Sequence, residues 1–117
     1  MMGPWLAMAL ARNFIELNDQ APKNLKNKLK IREIGAGTGD LAAKILSNLQ
    51  NCNSLPQAYE IIEINESMVD LQKRNIFSIL KEKFNGPLAS NIFNVICWKN
   101  GFVKEQNIFD CSKQNKI

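Results

Sequence analysis

The segment EIGAGTGD, residues 33–40, carries glycine at three alternate positions, Gly35, Gly37 and Gly39. Glycine loses more conformational freedom on folding than any other residue, so this density indicates backbone that turns sharply or approaches a ligand closely. If a strand precedes the turn and a helix follows it, the helix N-terminus presents free N–H groups and partial positive charge. The segment therefore predicts a ligand site at a strand–turn–helix junction.

A second acidic residue strengthens this prediction. Glu63 follows Gly39 by 24 residues and lies near the end of the next predicted strand. Ends of adjacent parallel strands lie side by side, and a carboxylate there can accept hydrogen bonds from both ribose hydroxyls. Taken singly, Glu33 and Glu63 are each more often a chance acid, but together in this context they favour a site.

The spacing also restricts the class of ligand. Gly-x-Gly-x-Gly differs from the dinucleotide pattern G-x-G-x-x-G, and no Lys-Ser or Lys-Thr follows, as a P-loop requires. These features predict a nucleoside ligand with no phosphate at the turn, and S-adenosylmethionine fits that description. Trp98 is a candidate for stacking on adenine, although we favour core packing for it. We assign Asp40 to the start of the helix that follows the turn, where its negative charge offsets the partial positive charge of the free N–H groups.

The sequence gives little support for a metal site or for a nucleophile activated by histidine. The chain has no histidine, and Cys52, Cys97 and Cys111 are too far apart for zinc spacing. We therefore expect no metal, identify no catalytic residue, and regard a disulfide framework as disfavoured. A reducing compartment, and hence a cytoplasmic location, fits this cysteine usage.

The elements that must position the turn follow from hydrophobic periodicity. We predict helices over 5–18, 40–50 and 67–84 and parallel strands over 31–35, 58–64 and 92–98, with Gly86-Pro87 breaking the chain between the last helix and strand. The alternation predicts an α/β, Rossmann-like fold: a partial doubly wound sheet of about three parallel strands with flanking helices. We expect one domain over 1–117, made of a leading helix (3–18), a βαβαβ core (31–98) and an irregular tail (99–117).

Composition argues against two classes of partner. Fifteen Lys and Arg against eleven Asp and Glu give a net charge of +4, with a basic cluster between Lys23 and Arg32. No aromatic residues interleave that cluster, so we interpret it as a solvated linker and expect no nucleic-acid partner. The apolar N-terminal stretch is shorter than the ~20 residues of a membrane span, so we expect no membrane association.

With these residues in view, the sequence resembles class I S-adenosylmethionine-dependent methyltransferases. EIGAGTGD resembles their motif I, and LPQAYEIIEINESMVDLQKRN, residues 55–75, resembles the MidA group; the resemblance covers roughly residues 3–98. It implies a Rossmann-like fold that binds S-adenosylmethionine or S-adenosylhomocysteine. By resemblance, Glu63 would hold the ribose, and the residues at the methionine end would be Glu33, Gly35, Ala36, Gly37 and Gly39.

The resemblance also implies a substrate class. Mitochondrial relatives methylate a protein arginine and help to assemble respiratory complex I, so a protein substrate is expected, with a mitochondrial matrix location in a eukaryote. The family's upstream Thr-Ala-Pro-Glu and downstream Ala-Asn-Glu segments have no match here. We therefore expect an internal or truncated portion that binds the donor, lacks the acceptor site and shows no methyl transfer alone.

Two other classes of function stay open. A truncated sheet with an exposed edge would suit a non-enzymatic binding or assembly module derived from a methyltransferase, with homo-oligomers formed through that edge. A nicotinamide or flavin oxidoreductase would share the Rossmann-like strand–turn–helix arrangement but not the glycine spacing.

Overall fold

The computed structural model describes residues 4–84 and 86–99 of the chain. Within these residues the structure has three strands, as predicted, and four helices, one more than predicted. In chain order they are α1 (Pro4–Gln20), β1 (Lys30–Ile34), α2 (Asp40–Asn51), β2 (Ala58–Ile62), α3 (Glu66–Lys83), α4 (Gly86–Phe93) and β3 (Ile96–Lys99).

The three strands form one parallel sheet in the order β1-β2-β3. The pairing of β1 with β2 sets Glu33 opposite Ile61, and the pairing of β2 with β3 sets Ile61 opposite Trp98. Gly35 donates its N–H to Ile62 O at 2.9 Å, so the pairing continues into the glycine turn. The predicted parallel arrangement, on which the ligand argument depends, is confirmed.

The main core lies on one face of the sheet. Side chains alternate between faces along a strand, and the helices pack against the face that carries Tyr59 and Ile61, both fully buried. All five residues of β2, the middle strand of the sheet, are buried. From the helices this core takes Ala7, Ala11, Phe14, Ala42, Ala43, Ile45, Leu46, Leu49, Ile76, Leu80 and Ile92.

The helices α2 and α3 begin with residues suited to a helix N-terminus. α2 starts at Asp40, as expected, and the Asp40 carboxylate pairs with Lys44 Nζ at 2.8 Å. An acid in the first turn offsets the partial positive charge there. α3 is capped by Asn65, whose side chain accepts the Ser67 N–H at 3.0 Å.

The segment between α3 and β3 differs from the prediction. Gly86-Pro87 does not end the regular structure but begins α4, and the last strand starts at Ile96 rather than at residue 92. Proline is well tolerated in the first turn of a helix, because its fixed φ suits the helix and its missing N–H would have no helical partner. Ala89 and Ile92 are then buried at helical spacing. The first two residues of the strand predicted over 92–98, Ile92 and Phe93, therefore belong to a helix.

Other boundaries shift by a few residues. β2 ends at Ile62, so Glu63 is the first residue after the strand rather than its end. Lys99 closes β3, and the rest of the predicted tail lies outside the described residues. Within residues 4–84 and 86–99, none of the helices has the length and apolar character needed to cross a membrane.

Candidate functional site

The glycine turn connects the end of β1 to the start of α2. Gly35, Gly37 and Gly39 all have positive φ, at +65°, +57° and +86°. L-residues with a side chain rarely adopt this region, so the turn requires glycine at each position. A Cβ built on Gly35 or Gly37 would meet nothing within 4 Å. The backbone at these two positions therefore borders open space that a ligand can occupy.

Gly39 has an additional reason to be glycine. A Cβ there would lie 2.7 Å from Ile76 Cγ1 and 3.3 Å from the carbonyl oxygen of Gln72. Gly39 is buried and lets the start of α2 pack closely on α3, while the neighbouring Ala36 is also buried, at 8% exposure. The four turn residues predicted to contact the donor therefore form two groups. Gly35 and Gly37 border open space, whereas Ala36 and Gly39 are packed against the protein. The fifth predicted residue, Glu33, lies in β1 before the turn.

Glu63 lies where β2 ends, at the same edge of the sheet as the glycine turn. Its N–H donates to Lys99 O at 2.7 Å, which ties it to the end of β3. Its Oε1 accepts a bond from Gln72 Nε2 at 2.8 Å, and its Oε2 accepts the Asn65 N–H at 3.3 Å. The half-buried carboxylate is thus held by one donor on each oxygen.

Gln72 joins this carboxylate to the glycine turn. Its Nε2 also donates to Gly37 O at 2.9 Å, and its Oε1 accepts the indole N–H of Trp98 at 3.1 Å. The residue is fully buried on the inner stripe of α3. A single side chain therefore connects the turn after β1, the acid after β2 and the strand β3.

Sequence reasoning assigned no role to Gln72. Its signal is a polar residue within a helical stripe that is otherwise apolar, since Val69, Ile76 and Leu80 are the other buried positions of α3. Asn75, one turn further along, donates from Nδ2 to Thr38 O at 3.1 Å. α3 thus supports two successive carbonyl groups of the turn.

Glu33 belongs to a separate pair. The hydroxyl of Tyr59 donates to Glu33 Oε1 at 2.7 Å, and Tyr59 is 1% exposed. Burial, the hydrogen bond to Glu33 and the charge of Glu33 all raise the pKa of the Tyr59 phenol above its ordinary value of 10.0. Glu33 therefore keeps a protonated donor over the physiological pH range.

A cavity next to this pair lies on the α1 side of Glu33. It has a volume of about 360 Å³, and its lining includes Glu33, Tyr59 and apolar side chains of α1, β1 and α2. None of the glycine-turn residues lines it. The cavity and the open space beside Gly37 are therefore different places.

Trp98 is held by its own contacts. Its ring centroid lies 6.1 Å from that of Phe93, and Lys73 Nζ lies 5.3 Å from its ring centroid. Together with the bond to Gln72, these contacts favour a packing role over adenine stacking.

The cysteine and acidic residues bear on whether the described part of the chain could hold a metal ion. Cys52 is free and exposed. Nowhere in the described part of the chain do three or more Cys, Asp or Glu residues group in a way that could hold a metal ion.

Comparison with known proteins shows the family and the fold. Residues 6–112 match the model of a family described as "Putative S-adenosyl-L-methionine-dependent methyltransferase". The fold is similar to that of a Burkholderia thailandensis protein crystallised with S-adenosyl-homocysteine, with 23% identity and a TM-score of 0.62 over 86% of this chain and 22% of that one. A native crystal structure from the same organism gives 25% identity and a TM-score of 0.60, over 86% and 23%. No curated protein sequence matches the chain. The chain thus spans less than a quarter of the length of either solved structure.

Proposed function

Because the chain belongs to the family of S-adenosyl-L-methionine-dependent methyltransferases whose model it matches, we propose that its glycine turn and Glu63 bind the methyl donor. One observation carries this proposal. The open turn after β1 and the acid after β2 are held to the same nitrogen, Gln72 Nε2, at 2.9 and 2.8 Å. A nucleoside that reaches the turn backbone is therefore also within reach of the carboxylate.

Each part of the site then has a role. The open backbone at Gly35 and Gly37 admits the methionine end of the donor, since no side chain fills that space. The start of α2 adds N–H groups and partial positive charge for the donor's carboxylate. Glu63 accepts hydrogen bonds from the ribose hydroxyls. S-adenosylmethionine supplies a methyl group on a positively charged sulfur, and the chain's contribution is to hold it in position.

The finer function follows the resemblance to the MidA group. We propose that the acceptor is a protein arginine and that groups outside the described residues bind it. The family favours a methyl donor over a nicotinamide or flavin. We propose a cytoplasmic location from the cysteine usage. The resemblance supports the mitochondrial matrix if the protein is eukaryotic.

The test is calorimetric titration of the chain with S-adenosylhomocysteine. We expect saturable binding by the wild type and about 10–100-fold weaker binding by Glu63→Ala, because hydrogen bonds to a charged group contribute about 1.5–3 kcal/mol. Asp70→Ala is the matched control, since it removes an exposed acid from α3 and should leave the affinity unchanged. No binding by the wild type at high ligand concentration would refute the proposal.

A second function has one observation in its favour. β1 is an edge strand of the sheet that the described residues form, and Ile34 on it is 69% exposed. An open edge with an apolar side chain suits pairing with another chain, as an assembly module would require.

A further inference from the structure

We propose that Gln72 is a positioning residue that orients the Glu63 carboxylate toward the ribose hydroxyls and so gives the site its preference for ribose over 2′-deoxyribose. The inference rests on the proposed donor site. It concerns a residue that touches no ligand and acts through Glu63.

The orientation of the Gln72 amide is determined by its partners. Nε2 faces two acceptors, Gly37 O at 2.9 Å and Glu63 Oε1 at 2.8 Å, while Oε1 faces the donor Nε1 of Trp98 at 3.1 Å. Turning the amide over would set an oxygen against two oxygens and an NH₂ group against an N–H. The three bonds therefore allow one orientation of the amide, and both of its N–H groups are used.

Burial makes this orientation consequential. Gln72 is 0% exposed, so water cannot replace its bonds to Glu63 and Gly37 without a local rearrangement. Hydrogen bonds at a buried site are electrostatically stronger than in water, and a partner left unpaired there is costly. An apolar side chain at position 72 would leave the carboxylate without its donor on Oε1.

These hydrogen bonds leave the Glu63 carboxylate able to accept bonds from both ribose hydroxyls. Oε1 is held by Gln72 and Oε2 by the Asn65 N–H. A carboxylate has about four acceptor positions, so each oxygen keeps one for a ligand hydroxyl. Holding the carboxylate before the ligand arrives reduces the ordering cost of binding. If each ribose hydroxyl bonds to one carboxylate oxygen, a ligand without the 2′-hydroxyl loses one of two bonds whose strength depends on the position of the carboxylate.

The experiment compares two ligands by calorimetry, S-adenosylhomocysteine and its 2′-deoxy analogue. In the wild type we expect the ribose form to bind about tenfold or more tightly, the effect of one charge-assisted hydrogen bond. In Gln72→Met, which is close in volume, we expect this ratio to fall to about threefold or less. A residue that only supports the fold would weaken both ligands equally and leave the ratio unchanged.

Asn75→Ala is the matched control, because it removes the other side-chain donor from α3 to the same turn. It should keep the wild-type ratio. If Gln72→Met does not fold, Trp98→Phe decides the question: it removes the N–H that fixes Gln72 Oε1, and it should lower the ratio as well.

The outcomes separate the two proposals. A wild type that binds neither ligand overturns the donor site, and this inference with it. A wild type that prefers the ribose form, together with a folded Gln72→Met that keeps the full preference, overturns only the role of Gln72. An unchanged ratio in Trp98→Phe would do the same where Gln72→Met is unfolded.

Discussion

The Tyr59 hydroxyl donates to Glu33 Oε1 over 2.7 Å, from the middle strand of the sheet to the strand that leads into the glycine turn. Tyr59 is almost fully buried, and Glu33 is half-buried. The pair therefore fixes the last part of β1 just before the turn.

This pair predicts an unusual alkaline titration. Tyr59 is the chain's single tyrosine, so tyrosinate absorbance reports on it alone. Burial first, and then the hydrogen bond to Glu33 and its charge, raise the pKa of the phenol, so we expect no tyrosinate while the chain stays folded near pH 10. Circular dichroism recorded in parallel identifies the folded range. A tyrosinate midpoint near 10 in the folded protein would contradict the geometry.

The same shift has a consequence for stability. The folded pKa lies above the unfolded value of about 10, so the contribution of Tyr59 is complete below that pH and is lost as the pH rises beyond it. We expect the free energy of unfolding from urea titrations to decrease above about pH 10. In Tyr59→Phe this part of the decrease should vanish, and stability at neutral pH should fall by about 1–2 kcal/mol.

Glycine substitutions should separate ligand binding from folding. Gly37→Ala and Gly39→Ala both place a side chain at positive φ, which costs about 1–2 kcal/mol. Gly39→Ala also forces its Cβ against Ile76, which adds about 1–3 kcal/mol. We therefore expect Gly39→Ala to have the lower urea midpoint, and Gly37→Ala to stay folded but to bind S-adenosylhomocysteine more weakly. Equal midpoints, or unchanged affinity in Gly37→Ala, would contradict this division.

An ion pair between an exposed arginine and a buried carboxylate crosses from β1 to β2. Arg32 donates from Nε and Nη2 to Glu60 Oε1 at 3.3 and 3.1 Å, while Glu60 is 1% exposed and its Oε2 has no hydrogen-bond partner among the described residues. Removing one partner of a buried pair is far more damaging than replacing both.

We therefore expect Arg32→Met to lower the free energy of unfolding by about 2–4 kcal/mol, with the part-exposed arginine moderating the loss. The double variant Arg32→Met with Glu60→Leu should recover most of it. Lys28→Met, which removes an exposed cation, serves as the control in the same urea titrations. If the double variant is no more stable than Arg32→Met, the Glu60 carboxylate does not behave as a buried charge.

The edge at β1 predicts self-association. We expect light scattering to show a concentration-dependent rise in mass, and Ile34→Lys to reduce it, because a charge on an edge strand opposes pairing. Ile64→Lys is the matched control, since Ile64 is similarly exposed but lies after β2. A monomer at all concentrations would count against the edge as an interface.

We also expect no methyl transfer by this chain alone. The family resemblance assigns acceptor groups to a segment with no match in this sequence, and donor binding without a positioned acceptor does not accelerate transfer. The assay is radiolabelled methyl transfer to a cell extract. Labelling above background that disappears in Glu63→Ala would show that an acceptor site lies within these residues.

Local sequence patterns determined the order of the elements and the place of the glycine turn. The apolar stripe of α2, the cap at Asn65 and the glycines at alternate positions each act within a few residues, so they can be interpreted without knowing the fold. Parallel pairing followed from the alternation of strands and helices, because that topology needs crossover connections. The same local logic failed at α4, where Pro87 suits the first turn of a helix as well as it suits a break.

Only the tertiary structure decided how the site is held together. The bond from Gln72 to Gly37 joins residues 35 positions apart, and the bond from Trp98 to Gln72 joins residues 26 apart. Gly39 is glycine for its contact with Ile76, while Gly37 borders open space, although both stand in the same motif. Such differences arise from packing between elements, and packing depends on where the helices lie on the sheet, which no local pattern of residues encodes.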